Sequence, residues 1–286
     1  MSKKKLPVQT FSPGIVKENT VMLGERLIKQ WKIPTDRPLQ LSFGSFRQEI
    51  TVISAAKYSG LRISEPLARK MGLASRPVLR VAYSSSSKTL RLGPLISVLI
   101  SRDYPDTPEK PFGSISMFCR ELVNACRKQG AYVYFFTPNH ITESASSIQG
   151  WIYDGGWRQT TMPIADVINN RLTTRKMENK PSVQHFMKEV KSRYGSHIFN
   201  EKFLDKNEVF DTLKQDSSLS RLMPESHLLT GYSILKKMCS QYPVVFLKPV
   251  RGSLGKGIIR ISRQSDGTYQ TLATSVGGPK KHSYPN

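Results

Sequence analysis

Acidic residues are scarce in this sequence. Only 21 Asp and Glu stand against 43 Lys and Arg in 286 residues, a formal charge of +22 with a pI near 10.0. Such an excess favours anionic partners, whether nucleotide, nucleic acid, phospholipid surface or acidic polymer, and does not choose among them. Cysteine is rarer still. Cys119 and Cys126 stand seven residues apart on a helical stretch, about 10 Å along its axis and out of bonding range. With Cys239 they make no disulfide framework, and a reducing, cytoplasmic compartment fits best. Long apolar runs are missing. Leu95–Ile100 and Ala131–Phe136 fall far short of the ~20 residues of a membrane-spanning helix. Lys3-Lys4-Lys5 is followed by no apolar segment of the signal-peptide kind. The five histidines show no metal-ligand spacing with one another or with the cysteines, so no metal site is expected from them.

What is present suffices for real cores. Apolar residues make up 38%, and the length suits two domains or one large one, which excludes a small stapled module and a disordered chain. Charge divides the chain: residues 1–92 hold 17 basic and 5 acidic residues, 93–180 hold 10 and 8, and 181–286 hold 16 and 8. No repeat period is apparent. Residues 1–92 read as a basic β-rich domain, with strands at Leu39–Phe43, Gln48–Ser54 and Val78–Tyr83. They also hold one short helix, with Ser64 to cap it, Pro66 in its first turn and Gly72 to end it.

Residues 93–180 change period. Leu95–Ile100 reads as a strand buried on both faces. Ile115, Phe118, Cys119, Leu122, Val123 and Cys126 then trace one face of a helix, and Ala131–Phe136 is a second buried strand. Strand, helix and strand predict a βαβ unit with parallel pairing. Helices at Ser182–Tyr194, Lys206–Leu213 and Gly231–Tyr242 follow, with strands at Ser226–Leu229 and Val244–Leu247 and then a glycine-punctuated hairpin ending in Ile258–Ser262 and Tyr269–Leu272. Residues 274–286 carry no period and read as a disordered tail.

The chemistry concentrates at 244–262. An apolar strand delivers Lys248 to its end, Pro249 stops regular pairing, and Gly252, Gly255 and Gly257 let backbone N–H groups face an anion without obstruction from Cβ. A phosphate cradle and an ordinary glycine hairpin with a solvated lysine both fit this pattern. Gly255-Lys256 is not a Walker A loop, since Val250 stands where its first glycine belongs and a β-branched strand follows where a helix should. The glycine order also fails the dinucleotide fingerprint. Trp151, Trp157, Tyr132 and Tyr134 read as core and turn aromatics rather than a base-stacking platform. No helix-turn-helix, zinc finger or RNA-recognition signature appears, which argues against nucleic acid as the partner.

Lys248-Pro249 with Gly252-Ser253-Leu254-Gly255-Lys256-Gly257-Ile258 resembles the nucleotide hairpin of the YheC/YheD family, endospore coat-associated proteins of the ATP-grasp type. Phe203-Leu204-Asp205-Lys206-Asn207-Glu208-Val209-Phe210 is similar to that family's Asp-Lys-x-Glu-Val segment. Leu222-Met223-Pro224-Glu225-Ser226 fits its next strand entry, with Ser226 for the commoner Thr. Leu92-Gly93-Pro94-Leu95-Ile96 and Met162–Arg171 resemble further landmarks, from which Ala165 and Asn169 depart. The likeness covers about residues 40–273.

The resemblance implies a pre-ATP-grasp-like α/β domain over 93–180 and the first part of an ATP-grasp domain over 181–273. It implies ATP as ligand, with Lys206 and Lys248 on its phosphates and Gly252, Ser253, Gly255 and Gly257 closing over them. Arg251 and Lys256 read as solvated loop charges. The family's reaction joins a carboxylate to an amine through an acyl phosphate, with Mg²⁺ bridging the phosphates. After Lys248 the only acid is Asp266, and the resemblance places the metal-binding residues in a C-terminal subdomain beyond Leu272. The expectation is therefore a chain truncated before that subdomain, Mg²⁺ bound only with the missing part, and no ligase turnover by these 286 residues alone. The rival reading is a basic module, without catalysis, in which residues 1–92 bind an acidic spore-coat or cell-wall polymer.

Overall fold

The computed structural model describes residues 2–284 except 13, 15, 16, 57, 74, 75, 143–145, 253, 254 and 275–279. The chain divides into two compact units, Met1–Lys202 and Phe203–Asn286.

The first unit opens with β1 (Ser2–Phe11), β2 (Thr20–Gly24), α1 (Glu25–Trp31), β3 (Leu39–Phe43), β4 (Phe46–Ala55), β5 (Leu61–Ser64), α2 (Glu65–Lys70), β6 (Val78–Ser84) and β7 (Thr89–Leu92). The strands close into a barrel in the order β1-β5-β2-β4-β3-β7-β6. Alternation explains the closure: Leu39, Leu41 and Phe43, then Leu79, Val81 and Tyr83, point inward and are buried, as are Leu90 and Leu92.

The barrel contains an internal duplication, contrary to the sequence reading. Val21 and Leu61, Leu23 and Ile63, Leu27 and Leu67, Trp31 and Met71, and Ile33 and Leu73 occupy matching positions at a constant offset, and all are buried. Each copy is a strand running directly into a short helix whose end takes a left-handed residue, Lys32 (φ 54) or Gly72 (φ 65). The next amide turns back in both, Ile33 N to Ile28 O at 3.0 Å and Leu73 N to Ala68 O at 3.1 Å. β2 and β5 pair antiparallel across Met22 and Arg62, which relates the copies by a local two-fold. Only Glu25/Glu65 and Leu27/Leu67 are identical within this stretch, so the duplication is carried by burial. Ser64 does stand before α2, but its hydroxyl donates to Glu18 O rather than capping the helix.

A second sheet follows: β8 (Leu95–Ile100), α3 (Ser116–Gln129), β9 (Tyr132–Phe136), β10 (Ser147–Tyr153), β11 (Trp157–Pro163), β12 (Val167–Arg171), α4 (Arg175–Glu178), α5 (Pro181–Tyr194) and β13 (His197–Phe199). The strand order is β11-β10-β9-β8-β12-β13. β8 and β9 run parallel across α3, as the change of period predicts. Cys119, Val123 and Cys126 of α3 pack on Val98, Ile100 and Phe135, while Phe186 of α5 meets Phe136, ring centroids 5.6 Å apart, in the other core. That core is continuous with the barrel: Phe43 stands edge-on to Tyr132 at 5.8 Å. The apolar face of α5, through Val183, Phe186 and Val190, therefore belongs to this unit. The break between units falls at 202/203, not at 180/181 as read from sequence.

The second unit holds α6 (Lys206–Lys214), α7 (Ser217–Ser220), α8 (Tyr232–Gln241) and an antiparallel sheet of β14 (Val244–Leu247), β15 (Ile259–Arg263), β16 (Tyr269–Ala273) and β17 (Lys280–Tyr284) in that order. Two expectations are corrected. Ser226–Leu229 is not a strand: Leu228 and Leu229 are about half exposed with no neighbouring strand to pair, and side chains hold the segment instead. The 274–286 stretch is not wholly a tail, because Lys280–Tyr284 pairs with Tyr269–Ala273 and satisfies the outer edge of β16.

Candidate functional site

β14 and β15 pair from Val244↔Ser262 to Leu247↔Ile259 and so bring Lys248 to the open end of a hairpin. Thr274 closes the base of that hairpin's loop. Its hydroxyl donates to Gly255 O at 2.8 Å and accepts from Ile258 N at 3.0 Å, and its amide donates to Ile258 O at 2.9 Å. The sequence reading assigned this residue to the tail. A hydroxyl side chain just after an apolar strand is too common a signal to have singled it out.

The loop's glycines work by conformation (Gly255), by close approach (Gly252) or by both (Gly257). Gly255 and Gly257 take φ of +71° and +70°, where other residues are strained. A Cβ on Gly257 would stand 3.0 Å from Pro249 Cγ, as one on Gly252 would from Pro249 Cβ. Pro249 and the glycines thus fold the loop back on its own entry. Ser253 lies outside the described residues.

α6 begins against this loop. Asp205 caps it by accepting from Glu208 N at 2.8 Å, and Lys206 N donates to Val250 O at 3.1 Å. The Lys206 ammonium donates to Pro249 O at 2.8 Å and Gly252 O at 2.5 Å. An ammonium has three donors, so these bonds clamp the loop and leave one N–H for a ligand. Lys248 is exposed, its ammonium 5.9 Å from the centroid of the Phe246 ring. It forms no ion pair among the described residues.

Both lysines line one cavity of about 910 Å³. Its wall includes Phe210 of α6, Leu235 and Met238 of α8, Val245 and Leu247 of β14, and Gly257. Gly252 and Gly255 do not line it, and Arg251 and Lys256 are exposed loop residues. The 224–229 segment forms the far wall. It is tied down by Glu225, which accepts the Tyr242 hydroxyl and lies 2.8 Å from His227 Nε2, and by Lys214 Nζ on Ser226 O at 3.0 Å. The His227 and Tyr242 contacts hold the Glu225 carboxyl below its ordinary value, and Glu225 raises the Tyr242 phenol. Sequence reasoning missed this Glu225–His227–Tyr242 cluster because its members come together only when 224–229 folds over α8.

A pocket of this size, apolar within and lysine-rimmed beside a glycine loop, suits a phosphorylated ligand with a flat apolar part. Divalent metal fits less well. The two carboxylates on the cavity wall are engaged, Asp211 by Asn207 Nδ2 at 2.9 Å and Glu225 as described. Among the described residues no three His, Cys, Asp or Glu gather to hold an ion.

Strand, lysine, glycine loop and returning strand, with a second lysine supplied by a preceding helix, form the arrangement that the resemblance to ATP-grasp proteins implies. Residues 195–285 match the family model described as "YheC/D like ATP-grasp", the family that the hairpin resembles. The chain is 29% identical over 180 residues to the endospore coat-associated protein YheD of Bacillus subtilis (strain 168), covering 63% of this chain and 40% of that protein. It is 23% identical over 145 residues to the endospore coat-associated protein YheC of the same organism, covering 50% and 40%. The match thus spans about two fifths of the length of these curated relatives. No solved structure matches the chain. No helix among the described residues is long and apolar enough to cross a membrane.

Proposed function

We propose that residues 203–286 bind ATP in the cleft between α6, α8 and the β14–β15 hairpin. Lys248 meets the phosphates, the third donor of Lys206 joins it, and the loop from Gly252 to Gly257, Ser253 included, folds over them. The observation that carries this reading is that Lys206 and Lys248, far apart in sequence, reach one cavity from the two sides of the Pro249 turn. The apolar wall of Phe210, Leu235 and Met238 takes the base. The ancestry is that of a carboxylate–amine ligase working through an acyl phosphate. These residues hold the nucleotide without turning it over, because among the described residues no carboxylates for Mg²⁺ are gathered at the cleft. The names of the relatives suggest a setting in the endospore coat.

Charge-assisted bonds of this kind contribute about 1.5–3 kcal/mol each. Lys248→Ala is therefore expected to weaken ATP binding, followed by calorimetry on the full chain, roughly ten- to a hundredfold, while Lys256→Ala leaves it within about twofold. Equal affinity for the Lys248 variant and the parent protein would refute the assignment.

A further inference from the structure

The barrel carries a second feature built for anions, independent of the nucleotide cleft. Lys5 of β1 and Arg80 of β6 are direct cross-strand partners, and Lys3 lies two residues along the same face of β1, about 7 Å away. All three are exposed. Like charges set directly opposite one another in a sheet are destabilising, and nothing in the barrel core requires them there. The end of α3 packs onto the same spot. Lys5 Nζ donates to Lys128 O at 2.8 Å, Arg80 N donates to Gly130 O at 2.7 Å, and an Arg80 guanidinium nitrogen lies 3.4 Å from Gln129 Oε1. Gly130, at φ +71°, permits this approach: a Cβ there would stand 3.0 Å from both Lys5 Cγ and Arg80 Cγ.

The exposed Lys128 thereby joins Lys3, Lys5 and Arg80 in one patch made of two strands and a helix end. Their polar contacts are to neutral carbonyls and an amide, so among the described residues no carboxylate quenches the charge. None of the ion pairs among the described residues includes them. The surface is the outside of a barrel, with side chains about 5–7 Å apart and no exposed aromatic ring among these positions.

We infer that this patch docks a base-free phosphate polymer, gripped through its regularly spaced charges. A flat array of cations without a stacking ring gains nothing from nucleobases, which sets such a polymer ahead of nucleic acid. The inference does not rest on ATP binding, and either can fail without the other.

The test uses the full chain with long-chain inorganic polyphosphate as probe, titrated between 50 and 200 mM salt, roughly the range over which phosphate contacts are resolved. Lys3→Gln/Lys5→Gln/Arg80→Gln/Lys128→Gln is expected to lose at least about tenfold in affinity, and the slope of log K on log salt to fall by about 3. Lys5 and Arg80 also brace α3, so Lys3→Gln/Lys128→Gln, which breaks no recorded contact, is measured beside it; about half that slope change is expected. A comparison variant, Lys188→Gln/Arg221→Gln/Lys236→Gln/Lys237→Gln, removes the same net charge elsewhere and should leave binding nearly unchanged. Equal losses in patch and comparison variants would reduce the effect to net charge and overturn the proposal. Absence of polyphosphate binding, or single-stranded DNA binding tenfold more tightly per phosphate, would overturn it as well.

Discussion

The two units differ most in what holds them together. Met1–Lys202 buries two extensive cores, one running from the barrel into the mixed six-stranded sheet through Phe43, Tyr132, Phe136 and Phe186. Among the described residues of Phe203–Asn286 only Cys239, Val245 and Ile261 are buried, with Leu235, Met238 and Leu247 partly covered around them. Its cohesion comes from polar ties instead: the Lys206 clamp, Thr274 at the hairpin base and the Glu225 cluster. Regions with few buried apolar contacts open locally at low free energy. The part of the molecule that carries the proposed nucleotide cleft is thus the part that opens most readily.

Core truncation sharpens this contrast most. Phe43→Ala, at a fully buried position, is expected to cost about 3–5 kcal/mol in urea unfolding, whereas Val245→Ala should cost about 1–2 kcal/mol. Comparable losses would mean that the second unit has a stronger core than its burial shows. Ligand linkage comes next: ATP at a hundred times its Kd should stabilise the second unit by about 2.7 kcal/mol. Residues 248–257 should then resist limited proteolysis while sites in 1–202 stay unaffected. Protection spread evenly over the chain would place the nucleotide elsewhere.

A smaller effect belongs to the first unit. His140 lies between Thr137 N, which donates to its Nδ1 at 3.2 Å, and Asp103, 3.4 Å from its Nε2. Burial lowers its pKa below 6.5, only partly opposed by Asp103. The unfolded chain therefore takes up this proton first as pH falls. The stability tied to neutral His140 is complete above about pH 6.5 and is lost progressively below it, towards the folded-state value. Melting temperatures at pH 7.5 and 5.5 should diverge less in His140→Asn than in the parent protein. The smallest effect is a difference in rate. Burial raises the Cys119 thiol to about 12 and also raises Cys126 and Cys239. In native protein Cys239, held by the thinner core, should be the first to react with a thiol reagent.

Much of this was legible along the chain. The helix of Cys119, Val123 and Cys126, the parallel strands beside it, and the hairpin with Lys248 and its glycines follow from period and punctuation. The duplicated barrel was not legible, because Val21–Ile33 and Leu61–Leu73 share a burial pattern while almost every residue differs. Within the 224–229 wall, Ser226–Leu229 was read as a strand, since two leucines after a proline and a serine satisfy a local rule that no partner strand completes. The basic patch was visible only as an excess of charge over residues 1–92, while Lys128, which completes it, comes from outside that span.

The sequence by itself determined most of the elements and the glycine-punctuated hairpin that Lys248 enters, since these depend on side-chain periodicity and on residues close together along the chain. Only the tertiary structure decided that Lys206 clamps the loop that Lys248 enters, that α5 belongs with the barrel and the mixed sheet, and that a helix end completes a cationic surface on β1 and β6. Those are contacts between distant segments. They are set by which apolar faces must be covered together, which no local pattern records.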